Sequence, residues 1–196
     1  MIIVTPPVRT RTGTIATLAE AKKQLHIETE FTEDDAYITS LISVAIESVE
    51  DDTNSDIMDV TNVLTHRIGD GGESGISLIW QIAQAPFQSF TKLETSPDGT
   101  TYTEVAAADY KVTSNNLFIT VELLQPATSN LQLVTHFRLT YKTGYPDASR
   151  PTKLKQAALV RITDLFDNER QGYNLNGIIE NVAYRRLISK HVRNYW

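Results

Sequence analysis

The stretch Thr32-Glu33-Asp34-Asp35-Ala36-Tyr37-Ile38-Thr39-Ser40-Leu41-Ile42-Ser43-Val44-Ala45-Ile46-Glu47-Ser48-Val49-Glu50-Asp51-Asp52 decides how this chain folds. Ile38, Leu41, Ile42, Ala45 and Val49 recur at the three- and four-residue spacing that lines one face of a helix. Thr32 followed by Asp35 gives a capping-box-like start with acid in the first turn, so the spacing predicts a helix from there to about Asp52. The apolar set is wider than one stripe. Tyr37, Val44 and Ile46 lie beyond it, so this helix is expected to be covered on more than one side, and in an isolated monomer the surplus would be exposed.

Towards the N-terminus, Thr17 can cap a short amphipathic helix, Leu18 to Leu25, with Leu18, Ala19, Ala21 and Leu25 as its apolar residues. Residues 1–16 carry prolines, threonines and two arginines without periodicity and read as an extended arm. After about Asn62 the period changes to that of strands: Val63–Ile68, Ile76–Ile82, Phe87–Leu93, Tyr110–Val112, Leu117–Val121 and Leu131–Tyr141. Asp70-Gly71-Gly72 and Ser96-Pro97-Asp98-Gly99 supply turn residues, so strands adjacent in sequence are expected to pair antiparallel. Pro151 then stands where a first-turn proline belongs, and Leu154, Ala157, Ala158, Ile162, Leu165 and Phe166 form a helical stripe ending near Arg170. Gly172 breaks it. Asn174 or Asn176 can start a final helix that buries Ile178, Ile179, Val182, Ala183, Leu187 and Ile188. The expectation is an α+β chain, a four-helix bundle with an inserted antiparallel β-sheet region: arm 1–16, helical core 17–60 and 146–189, β-region 61–145 and C-terminal tail 190–196.

Composition removes several functions. A chain of 196 residues with 41% hydrophobic content folds without staples, and the absence of cysteine excludes disulfides, thiolate metal sites and a thiol nucleophile. No apolar run approaches the roughly 20 residues that span a bilayer, and Met1 to Pro7 lacks the regions of a signal peptide, so neither a membrane span nor secretion by that route is expected. The net charge of −6 argues against gripping phosphates over a broad surface. That charge is unevenly placed. From Glu28 to Asp59 there is no lysine or arginine; from Tyr184 to Trp196 the charged residues are Arg185, Arg186, Lys190 and Arg193, with no carboxylate side chain. One-signed blocks are ordinarily solvated faces. The sharper reading is that Glu33, Asp34, Tyr37, Val44 and Glu47 on one subunit meet Arg185 and Arg186 on the next.

Searched for chemistry, the chain yields little. Asp34-Asp35 and Asp51-Asp52 are the obvious carboxylate pairs, but neighbours on a helix point in different directions. His26, His66, His136 and His191 show no zinc spacing. Asp52-x-Asn54-x-Asp56 imitates the start of a calcium loop, yet Ile57 stands where glycine is needed and Val63 where the bidentate glutamate belongs. Gly69-Asp70-Gly71-Gly72 lacks the Gly-Lys-Ser/Thr ending of a phosphate loop. No catalytic residue, metal or cofactor is therefore expected.

Taken in order, Thr17-Leu18-Ala19-Glu20-Ala21-Lys22-Lys23-Gln24-Leu25, Glu33-Asp34-Asp35-Ala36-Tyr37-Ile38, Ala45-Ile46-Glu47-Ser48-Val49-Glu50, Ala108-Asp109-Tyr110-Lys111-Val112, Leu139-Thr140-Tyr141-Lys142-Thr143-Gly144-Tyr145, then Pro151, Leu154, Lys155, Ala157 and Asp167-Asn168-Glu169-Arg170 resemble the head-tail connector (adaptor) proteins of long-tailed bacteriophages, from Thr17 to Ile188. One departure is Asp52-Thr53-Asn54-Ser55, where that family commonly has an aromatic residue and then Thr-Gly. The resemblance implies a non-enzymatic virion protein, made in the host cytoplasm and placed at the head-tail neck. It implies a homo-oligomeric ring, usually twelvefold, bound to the portal on one side and to a tail-proximal stopper or tail-terminator protein on the other. Genomic DNA would pass through the lumen without sequence-specific binding. It also implies a terminal segment reaching the portal, for which Lys190, Arg193, Tyr195 and Trp196 are the candidates, large aromatics and arginine being common interface anchors. The alternative is a DNA-binding module of phage packaging that uses the same basic, aromatic C-terminus.

Overall fold

A computed structural model describes residues 2–4, 6–68, 79–83, 85–115, 118–124, 134–166 and 181–193. Its elements are β1 (Ile2–Val4), β2 (Val8–Thr12), α1 (Leu18–Gln24), α2 (Asp35–Thr53), β3 (Asp59–Ile68), β4 (Ile79–Ile82), β5 (Phe87–Ser96), β6 (Thr103–Glu104), β7 (Tyr110–Ser114), β8 (Ile119–Leu123), β9 (His136–Thr143), α3 (Thr152–Phe166) and α4 (Val182–Ile188). They fall into two compact units, one formed by Met1–Thr12 with Asp59–Gly144, the other by Gly13–Met58 with Tyr145–Asn194.

The β unit follows from strict alternation. In β9, Phe137, Leu139, Tyr141 and Thr143 are buried while the residues between them are half-buried, the period of a sheet with one dry face. β9 pairs antiparallel with β3 on one side (Leu64 opposite Leu139) and with β5 on the other (Leu93 opposite Leu139). β6 extends the β5 edge, and β1 and β2 both pair with β3, giving six strands. A second sheet has the order β4-β8-β7. Trp80 and Ile82 of β4 and Val121 and Leu123 of β8 share one core cluster with Leu64, Leu93, Phe137 and Leu139 of the first sheet. The Trp80 indole also donates to His66 Nδ1 of β3 at 2.8 Å, linking the two sheets through the core.

In the helical unit, α2 packs along α3. Ile38, Leu41, Ile42, Ala45 and Val49 are buried as their spacing predicts, and so are Leu154, Ala157, Ala158 and Ile162 of α3. α1 begins with a full capping box: Thr17 Oγ1 accepts from Glu20 N at 3.2 Å, and Thr17 N donates to Glu20 Oε2 at 2.9 Å. The departure at Asp52–Ser55 is also accounted for. Asn54 takes the left-handed conformation (φ 49°), while Asn54 N bonds Asp51 O at 3.3 Å and Ser55 N bonds Glu50 O at 3.2 Å, so asparagine closes α2 as glycine would.

Several expectations are corrected. The chain is α+β but is not a four-helix bundle with one inserted sheet: helix and strand content are about equal, and there are two antiparallel sheets. α1 and α4 have seven residues each, about 10 Å of helix, too short to line a bundle with α2 and α3. Residues 1–16 include β1 and β2, so the larger sheet draws on the start of the chain as well as on the region after α2. β3 and β4, adjacent in sequence, lie in different sheets, because β3 finds its long partner in β9. Thr32 does not cap α2; Asp34 holds that position without a side-chain bond, and the Thr32 carbonyl accepts Asp35 N at 3.2 Å. α3 starts at Thr152, with the Pro151 carbonyl accepting Leu154 N at 2.9 Å. The turn at Asp70–Gly72, the end of the helix near Arg170 and the starts at Asn174 or Asn176 lie outside the described residues.

The β unit carries a pH dependence with a definite sign. Glu94 is buried and accepts from Arg138 Nε and Nη2 at 2.8 Å each and from Lys92 Nζ at 2.9 Å, which holds its carboxyl down at about 2. A depressed carboxylate stabilises the fold above its unfolded value of about 4.5 and loses that contribution as pH falls towards 2. Burial likewise lowers His66 below its ordinary value, so its neutral form favours the folded state above about pH 6.5, and that contribution is lost as pH falls through the folded value. Melting should therefore fall in two steps, first below about pH 6.5 and again below about pH 4.5, the second on the order of 2 kcal/mol once solvent around Arg138 is discounted. Thermal melts of the wild type and of His66→Phe and Glu94→Gln from pH 8 to pH 3 check this. Each variant should lose less than the wild type at its own step, His191 adding to the first and Glu20 and Asp98 to the second, and a variant whose losses match the wild type would refute the assignment.

Candidate functional site

The acidic helix is held in place by a residue of the opposite charge. Lys22 is buried on α1, and its ammonium bonds Thr29 O at 3.0 Å and the Asp35 carboxylate at 2.5 Å, fixing the loop between α1 and the first turn of α2. With its inner stripe packed against α3, α2 leaves Tyr37 45% and Val44 43% exposed, with Glu33 and Glu47 exposed beside them and Asp34 half-buried at the cap. The Tyr37 ring meets Phe166 at 6.0 Å between centroids. Ile46, read from its position as outside the main stripe, is buried. The surplus apolar surface therefore reduces to Tyr37 and Val44, two turns apart on the outer face.

At the other end of the chain, Asn181 caps α4, its side-chain oxygen accepting from Ala183 N at 3.1 Å and Tyr184 N at 3.2 Å, and its amide donates to Asp164 at 3.0 Å. Tyr184 points inward. Its hydroxyl donates to Asp52 Oδ2 at 2.6 Å, and burial with that carboxylate pushes the phenol well above its ordinary value. The Arg161 guanidinium lies 5.5 Å from the Tyr184 ring centroid, within cation–π range. Arg185 and Arg186 are exposed on α4.

Beyond α4 the backbone is fastened to the end of α2. Arg193 N donates to Thr53 O at 2.9 Å, the Asn54 amide donates to Arg193 O at 3.2 Å, and Ser55 Oγ reaches His191 O at 3.5 Å. Lys190 is exposed and Arg193 half-buried, while Tyr195 and Trp196 lie outside the described residues.

The paired carboxylates part company. Asp35 is bonded to Lys22 and Asp52 to Tyr184, whereas Asp34 stands at the N-cap position without a side-chain cap bond and Asp51 is exposed, so neither pair converges on one point. Among the described residues no group of three or more His, Asp or Glu side chains could hold a metal ion, and no helix is long and apolar enough to cross a membrane. Sequence reading missed Lys22 and the Tyr184–Asp52 bond. The first had a signal, since Lys22 stands four residues after Leu18 and three before Leu25 on the apolar side of α1. The second had none, its partners being 132 residues apart.

In this α+β protein Asp35 and Asp52 are bonded within the fold, and Tyr37, Val44 and Val182 stand exposed on the outer faces of helices. Residues 15–110 match the family model for the phage gp6-like head-tail connector protein, which supports a place for this chain in the phage head-tail connector family. That span holds the segments from Thr17 to Glu50 and reaches Tyr110, leaving the likeness from Leu139 onward outside it. Among solved structures, the fold is shared with a chain in the neck of an empty gene transfer agent particle computed with C6 symmetry (TM-score 0.65, 15% identity, 94% of this chain and 95% of that one). It is shared also with a chain in the virion of a native gene transfer agent particle (TM-score 0.61, 18% identity, 94% and 95%) and one in the neck of the native particle computed with C12 symmetry (TM-score 0.59, 14% identity, 94% of each). No curated protein sequence matches the chain.

Proposed function

We propose that this protein is a structural head-tail connector subunit, without catalytic activity, that forms a homo-oligomeric ring in the virion neck between the capsid portal and the tail. Genomic DNA passes through the lumen without sequence-specific binding, and the tail-facing side receives a stopper or tail-terminator protein after assembly in the host cytoplasm. The observation that carries this reading is the connector-family match together with a fold shared over 94% of the chain with a component of symmetric neck assemblies. The portal contact is assigned to the C-terminal tail. Lys190 and Arg193 start it, the backbone of Arg193 being held at the end of α2, and Tyr195 and Trp196 are proposed as its anchors.

The rival reading, a DNA-binding module, loses one of its aromatics. Tyr184 is buried and bonded to Asp52, so its ring is not offered to a base, and Arg185 and Arg186 stand without it. The test adds purified protein to portal-bearing, DNA-filled heads that lack it and images the product. A ring of added density below the portal is expected. Heads that stay bare, with the protein instead binding free DNA in a salt-dependent way, would favour the rival.

A further inference from the structure

We infer that the outer face of α2 seats on the outer face of α4 of a second copy of this chain, so that successive subunits join through unlike faces. The inference rests on the connector reading and names the joint within it.

The large hydrophobic residues left exposed among the described residues are Val8, Phe31, Tyr37, Val44, Ile79, Val182 and Val192. Five of these are in the helical unit, and they sort into two groups. Phe31, Tyr37 and Val44 lie before and along the outer face of α2, where Ser40, Glu47 and Asp51 continue the row at alternating three- and four-residue steps, the spacing of a helix-to-helix seam. Val182 shares one exposed face of α4 with Arg185, Arg186 and Ser189, and Val192 follows it. Each group is an apolar strip edged by charge of one sign. Between Glu28 and Asp59 every charged side chain is acidic; from Tyr184 onward every charged side chain is basic.

Charge then selects the occupant. An α2 face laid on its own copy brings Glu33, Glu47 and Asp51 against the same acids, and an α4 face on its own copy brings arginines together. Laid on one another, both strips bury their valines and set acid beside arginine. Within one subunit the two helices meet through the inward Tyr184 hydroxyl and Asp52 at 2.6 Å, and Tyr37, Val44 and Val182 remain exposed. Each addition therefore leaves one α2 face and one α4 face open, which is the condition for a closed ring of like subunits.

The chain contains no cysteine, so introduced thiols report alone. Particles assembled on portal-bearing heads from an equal mixture of Val44→Cys and Val182→Cys subunits, then oxidised, should yield dimers whose cross-linked peptides join positions 44 and 182. Val44→Cys subunits alone should yield none. As a second readout, Val44→Glu should melt as the wild type does, because the side chain is exposed, yet be incorporated at least tenfold less. Dimers joining 44 to 44, no cross-link in particles that do assemble, or normal incorporation of Val44→Glu would overturn the joint and leave the connector reading standing. Failure of the wild type to bind such heads as a multimer would overturn the connector reading, and the joint with it.

Discussion

Deleting residues 194–196 should leave the subunit folded and abolish its stable attachment to portal-bearing heads, whereas deleting residues 190–196 should also lower its melting temperature. The distinction comes from where the backbone is fastened. Arg193 N on Thr53 O and the Asn54 amide on Arg193 O satisfy groups at the C-terminal end of α2, so removing His191 to Arg193 strips that end of its partners and should cost about 1–2 kcal/mol. Removing only the last three residues spares those bonds but takes away Tyr195 and Trp196. Burying an aromatic of that size contributes on the order of 2 kcal/mol per site, and in a ring whose copies bind together the small losses multiply through avidity. Attachment should therefore fall by on the order of a hundredfold or more. Sedimentation of heads with bound protein, beside melting curves of both truncations, reads the two effects separately. If heads bind the shorter truncation at wild-type levels, the aromatics are not the anchors.

Replacement of Arg150 by alanine should be among the most destabilising polar changes in the helical unit, at about 3 kcal/mol. Its side chain is almost fully buried and ties three separate stretches of chain: Nε donates to Ile57 O at 2.9 Å, Nη1 to Thr14 O at 3.1 Å and Nη2 to Asp147 Oδ1 at 2.6 Å. The ion pair is the small part, since Asp147 is well exposed and solvent screens it. The carbonyl bonds are the large part, because a charged donor is lost and two acceptors lose their partner. Gly13 sits at φ +82°, and a β-carbon there would come within 2.9 Å of the Asp147 carboxylate. Arg150→Lys should recover only part of the loss, since a point-like ammonium cannot serve both carbonyls in the way a planar fork does. Denaturant unfolding of the three proteins measures this; equal stability for Arg150→Ala and the wild type would show that the staple contributes nothing.

How much of this was legible beforehand depends on the distance over which each interaction acts. Helix positions, the Thr17 cap, the apolar stripes of α2 and α3 and the alternation of β9 follow from periods of a few residues, and the sequence alone determined them, together with the absence of thiol chemistry and the separation of charge along the chain. The likeness to the connector family was legible in the same way, through ordered short segments from Thr17 to Tyr110. Strand partners were not. Turn chemistry predicts pairing between neighbours, but β3 pairs β9 across more than 60 residues and β4 lies in the other sheet, because a strand with one dry face takes whichever partner completes the core. For the same reason the tertiary structure alone decided that Lys22 pairs with Asp35, that Tyr184 turns inward to Asp52, and that Arg150 holds residues 14, 57 and 147. A period can place such a side chain on an apolar face, as it does Lys22, but it does not name the partner. The burial of such side chains depends on a specific partner arriving from another part of the chain, and only the folded arrangement supplies it.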